Sequence, residues 1–144
     1  MRYLIAIICM LGCAESVEVD PVGDYQSWPR SVEVRGNAPG HSNSIRVIYA
    51  NDIAANAPSL YLGYPEGSIF VKEVWEDEDG ERGALRYLAL MRRIGPVTTA
   101  LQDEGGWLYT ETDGPDGPEQ YFNFCWNRCH VVAPYNGAFY DYRP

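Results

Sequence analysis

The chain has 144 residues, 46% of them apolar and 13% aromatic, a composition that closes a core and excludes a disordered chain. Twenty acidic residues against 11 lysines and arginines leave a formal net charge of −9. That excludes a nucleic-acid partner, because phosphate binding needs a basic surface.

Residues 1–13 read as an export signal. Arg2 supplies the positive start, and the apolar run after it is too short to span a bilayer. Gly12-Cys13-Ala14 resembles the end of a bacterial lipoprotein signal, with Cys13 the acylated residue and ordinary signal cleavage the alternative. A periplasmic or lipid-anchored location is therefore expected. Residues 14–24 are polar and acidic and read as a tether, so one domain is expected over residues 25–144.

Within that domain, residues 35–44 are dense in turn formers and predict a loop. Residues 45–50 predict a strand, and residues 51–57 a short helix with Asn51 as N-cap and Pro58 as its stop. A second strand is expected from residue 68 to about 76. It turns at Asp77-Glu78-Asp79-Gly80 and returns from about residue 84 to 92. Another strand is expected over residues 106–112, followed by an irregular Asp113-Gly114-Pro115-Asp116-Gly117-Pro118. Residues 119–132 predict a short helix or turn, and the aromatic tail 134–144 is expected to pack on the body. The fold class is thus mainly β: an antiparallel sheet domain with a few short helices and a C-terminal cysteine-histidine segment.

Export sets Cys9 and Cys13 aside, which leaves Cys125 and Cys129 as the domain's thiols. They stand in Cys125-Trp126-Asn127-Arg128-Cys129-His130. Two thiols followed at once by an imidazole suit covalent c-type haem, in which the thiols join the vinyl groups and the histidine ligates iron. The usual spacing places two residues between the cysteines, whereas here there are three. A Cys125–Cys129 disulfide and a Cys/Cys/His metal site are the other readings. The metal reading lacks a fourth ligand, since the only other histidine, His41, falls in a distant loop.

Lys72 is the only lysine, whereas arginine occurs ten times. By period-two alternation it shares a strand face with Phe70 and Val74, where an ammonium is costly unless it is neutralised or used. A snorkelling edge lysine is the bland alternative. Arg46 shares a face with Ile48 and Ala50, as a solvated arginine or as a partner for a haem propionate or an anionic ligand. His41 is expected to be a loop histidine without a special role, with a distal-pocket role as the alternative. The acidic run 76–79 reads as a solvated turn, and Glu73 points away from the Lys72 face.

The order Trp28, Ile45-Arg46-Val47-Ile48-Tyr49-Ala50-Asn51, Gly67-Ser68-Ile69-Phe70-Val71-Lys72-Glu73, Gly106-Trp107 and Cys-x-x-x-Cys-His resembles the cytochrome P460 family, which includes the cytochromes c-prime-beta. The resemblance runs from about Asp24 to Tyr142. It implies a β-rich, periplasmic, usually homodimeric protein with one covalent haem c per chain. Cys125 and Cys129 would anchor that haem and His130 would ligate its iron, leaving the opposite face open to small nitrogenous ligands. In the family's catalytic branch a lysine, at the position of Lys72, is joined to the macrocycle, and hydroxylamine is oxidised with electrons passing to an acceptor such as a soluble cytochrome. The other branch binds nitric oxide without turnover. A β-domain that has lost haem is the third possibility.

Overall fold

The computed structural model describes residues 16–58, 63–94, 104–122 and 124–143. The export segment, with the lipidation expected at Cys13, lies outside them. The strands are β1 (Ser16–Val17), β2 (Arg30–Ala38), β3 (Ser42–Ala50), β4 (Ile69–Glu78), β5 (Glu81–Arg93), β6 (Trp107–Thr112) and β7 (Glu119–Tyr121). Among the described residues there are two short α-helices, α1 (Asp52–Ala55) between β3 and β4 and α2 (Phe124–Arg128) after β7. The strands form one antiparallel sheet in the order β1-β7-β6-β5-β4-β3-β2, so the fold is mainly β, as its turn signals and alternation predict.

The central hairpin β4–β5 is longer than expected, because the acidic run continues the strand as far as Glu78. Its tip is Asp79-Gly80, with φ of 54° and 92°, the left-handed pair that a two-residue turn requires. The Asp77 carboxylate accepts the Gly80 N–H at 2.7 Å. Asn51 caps α1 as predicted, accepting the Ala54 N–H at 3.0 Å. It also accepts the Ile69 N–H and donates to Gly67 O, so one side chain ties the end of β3 to the start of β4.

Three expectations need correction. The loop expected over residues 35–44 is the end of a hairpin: β2 pairs with β3 along its whole length, from Arg30↔Ala50 to Ala38↔Ser42. Gly36 and Asn37 resemble turn formers, yet both are paired with β3, Gly36 at a positive φ of 90° that a glycine tolerates within the ladder. The expected tether is partly docked, since Ser16 and Val17 pair with β7 and Val22 is buried. Residues 119–121, expected as helix or turn, form β7.

Alternation divides the sheet into two faces. One carries Arg46, Ile48 and Ala50 from β3, Phe70, Lys72 and Val74 from β4, Tyr87, Ala89 and Met91 from β5, and Trp107, Tyr109 and Glu111 from β6. α1, α2 and the C-terminal tail cover this face. Tyr64, Phe70, Trp107 and Tyr142 form its aromatic core, with ring centroids 4.7–6.0 Å apart across the Tyr64–Phe70, Phe70–Tyr142, Phe70–Trp107 and Tyr64–Trp107 pairs. The tail expectation holds for the buried Ala138 and Tyr142, whereas Phe139 and Tyr140 are exposed.

The reverse face is closed by Val22, Tyr25, Val71, Leu88 and Leu90. It also holds two buried polar groups. Glu73 accepts hydrogen bonds from Tyr25, Gln26 and Trp75, and Glu119 pairs with Arg92 and accepts from Thr110.

Candidate functional site

Lys72 sits at the centre of the covered face. Its register neighbours are Ile48 on β3 and Ala89 on β5, and Ala89 in turn faces Glu111 on β6. The small Ala89 therefore separates Lys72 from a carboxylate in one cross-strand row. The residue is half-buried, with its amine end enclosed. Burial draws that amine down from the ordinary lysine range to about 8; Arg46 acts in the same sense, and Cys125 and Glu111 oppose it. At neutral pH about a tenth of such an amine is unprotonated, against about 0.03% for an ordinary lysine.

The cysteines arrive on α2. Cys125 and Trp126 pack against the aromatic core of this face, and Trp126 lies against Gly105 and Gly137. Both sites are glycine with positive φ, and a Cβ at Gly105 would come within 2.6 Å of the indole. Cys125 and Cys129 are free thiols, and burial pushes the Cys125 thiol up to about 11. His130 opens the 3-10 turn His130–Val132 that follows. Its ring stands between Tyr109, at 4.9 Å between centroids, and Phe139, at 5.1 Å. Its Nδ1 donates to Gly137 O at 2.6 Å, which leaves Nε2 with a free lone pair. Burial draws this imidazole down to about 4, so it is neutral at physiological pH. A ring with one nitrogen tied to a backbone carbonyl and the other open is how metal-ligating histidines are oriented.

Arg46 is 5% exposed on the same face, where its Nη1 donates to Gly36 O at 3.0 Å. Two further residues, His41 and Tyr87, join the site. His41, expected mainly as a loop residue, extends from the β2–β3 turn over the sheet and places Nε2 2.5 Å from Lys72 Nζ. Its Nδ1 lies 3.1 Å from the Tyr87 hydroxyl. Lys72 lies on this face, Cys125 packs against its aromatic core and the His130 ring lies against Tyr109 of the same face.

The cytochrome P460 family model matches residues 22–139, which takes in strands β2 to β7, α1, α2 and the cysteine-histidine segment. The chain belongs to the cytochrome P460 family. No curated protein matches it by direct comparison. Membership in this family of haem cytochromes implies a haem cofactor, and the residues on the covered face fit one. The cysteine-histidine segment offers two free thiols beside an imidazole whose Nδ1 is already satisfied. Beside that imidazole the Tyr109 hydroxyl is fully buried and has no hydrogen-bond partner among the described residues. An orphaned buried hydroxyl costs about 1–3 kcal/mol, which makes it a mark of a site built to meet a further polar group. The aromatic wall of Phe70, Trp107 and Tyr109 suits a flat apolar ring system.

Proposed function

We propose that the protein is an exported cytochrome that carries one haem joined covalently to Cys125 and Cys129, with His130 as the axial ligand, and that it oxidises hydroxylamine. The observation that carries the reaction is Lys72, the single lysine of the chain. Its amine is enclosed on the face that the cysteine-histidine segment covers, and is drawn down to about 8. Joining to a macrocycle carbon would need an unprotonated amine and would give up one N–H and one C–H hydrogen to a two-electron oxidant such as a peroxide. Burial raises the unprotonated fraction at neutral pH about 300-fold over an ordinary lysine.

When bound, haem supplies an open iron position and one-electron redox chemistry. The chain's own residues do the rest. His130 presents Nε2 because Gly137 O holds Nδ1. Tyr109 has a hydroxyl to donate, and the buried aromatic core would exclude water from the site. Glu111, raised by burial above the ordinary carboxylate range, is positioned to hold a proton on this face. Arg46 provides a fixed positive charge near Lys72 and His41, suited to an anionic group such as a propionate. Electrons leave to a soluble acceptor protein, and the active form is a homodimer in the periplasm or on a lipid anchor at Cys13.

The test is intact mass combined with turnover, on protein matured in a host that attaches c-type haem. Haem plus polypeptide short of two further hydrogens, with hydroxylamine oxidation that Lys72→Ala abolishes while haem stays attached, supports the enzyme. Full oxidation by Lys72→Ala would remove the role given to Lys72. A plain haem adduct that binds nitric oxide and leaves hydroxylamine unchanged would make the protein a nitric oxide carrier instead.

A further inference from the structure

We infer that His41, held by Tyr87, is the positioning residue for the amine of Lys72. The chain has two histidines, and the fold brings both to one sheet face although they lie on opposite sides of the sequence. His41 is fixed at both ends. Its backbone N–H donates to Ala38 O at 3.0 Å, and its carbonyl accepts from the fully buried Ser44 hydroxyl at 3.0 Å. Its ring is clamped between Lys72 Nζ at 2.5 Å and the Tyr87 hydroxyl at 3.1 Å. A lysine amine donates to Nε2 only if the ring proton sits on Nδ1, and that proton is then available to the Tyr87 oxygen. The Tyr87 oxygen can accept that proton, so its contact is compatible with the tautomer that holds Lys72.

The charges around the ring agree with an acceptor. Burial draws His41 down to about 3, assisted by Lys72, Arg46 and His130, so the ring stays neutral and its Nε2 lone pair stays open. The groups facing the pair are Arg46 from β3, Tyr87 from β5, Glu111 from β6, Cys125 from α2 and His130 behind it. Lys72 is far more basic than His41, so His41 aims the amine and is not its base. A free lysine side chain samples many rotamers about its four single bonds, and holding the amine removes most of them. For a bond-forming amine, fixing the donor direction matters more than any gain in basicity. The contact stands on the structure alone. What the amine is aimed at, the haem edge, rests on the function proposed above.

The experiment uses the fact that one lysine gives one signal. Protein carrying 13C-lysine is matured and measured in the diamagnetic ferrous, carbon monoxide-bound form, as wild type, His41→Phe, His41→Gln and Tyr87→Phe. If wild-type Lys72 is a free amine, its two ε-methylene protons are expected at distinct shifts. They should merge in His41→Phe and separate again in His41→Gln, which restores an acceptor. If wild-type Lys72 is joined to haem, intact mass should show the joined fraction falling at least about tenfold in His41→Phe, recovering in part in His41→Gln, with an intermediate fall in Tyr87→Phe. Merged proton shifts in the wild type, or a His41→Phe protein indistinguishable from wild type, overturns the inference. If His41→Phe does not fold, the Gln and Tyr87→Phe proteins decide it. A chain that acquires no haem refutes the haem reading, and the ε-proton comparison on that chain still decides the role of His41.

Discussion

Replacing Glu73 by alanine tests whether the reverse face is held by one buried carboxylate. Glu73 is 1% exposed and accepts from Tyr25 at 2.9 Å, Gln26 at 2.7 Å and Trp75 at 2.9 Å, with Tyr49 at 3.5 Å. Gln26 is exposed and can turn to water, and the Tyr49 contact is at the limit of a hydrogen bond. The loss therefore falls on Tyr25, 5% exposed, and the partly buried Trp75. Each hydrogen bond to a charged acceptor contributes about 1.5–3 kcal/mol. Relief of the carboxylate's own desolvation offsets part of two such losses, so Glu73→Ala should cost about 3 kcal/mol. Urea unfolding of wild type and mutant at equal m-value measures it. Because Tyr25 lies in the 3-10 turn Tyr25–Ser27, the mutant should also release that turn, seen as faster amide exchange there. The state of Lys72, on the other face, should not change. A cost below about 1 kcal/mol, or an altered Lys72, would refute the division of the sheet into two independent faces.

Gly137→Ala should cost about 1–3 kcal/mol and turn His130, because φ is +95° there and a Cβ would come within 2.8 Å of Trp107 Nε1. Thermal unfolding and the axial-ligand spectrum check both effects. Glu119→Ala strands Arg92, which is 5% exposed, and should cost about 3–5 kcal/mol in urea unfolding, whereas Glu33→Ala, at the exposed Arg35 and Arg82, should leave the unfolding curve nearly unchanged. In haem-free chain, Lys72 binds its proton more weakly folded than unfolded. Between about pH 8 and the ordinary lysine value the unfolded chain holds the extra proton, so stability rises with pH across that window, by at most about 1.4 kcal/mol per unit. Lys72→Met should remove that rise in unfolding curves taken across it.

Local signals carried much of this fold, and long-range ones were silent. The β4–β5 hairpin was readable because Asp79-Gly80 provides the left-handed turn and the flanking residues alternate. Lys72 was readable because a lone lysine stood among apolar neighbours on one face, and Glu73 because period two sent it to the other. β2 was hidden by Gly36 and Asn37, which count as turn formers until β3 lies beside them. β1 consists of only two paired residues. His41 was unreadable for a different reason. Its partners lie 31 and 46 residues away, and nothing local tells which face a hairpin tip will cover. The orphaned Tyr109 hydroxyl has the same origin, because burial without a partner is visible only after the tail and α2 have closed over β6.

The most direct test of the account is the denatured mass and reduced spectrum of chain exported by a host that matures c-type cytochromes. The account predicts polypeptide plus one haem, which stays attached when the protein is unfolded and is lost in the Cys125→Ala, Cys129→Ala double mutant. Bare polypeptide lighter by two hydrogens, with Cys125 bonded to Cys129, would contradict it.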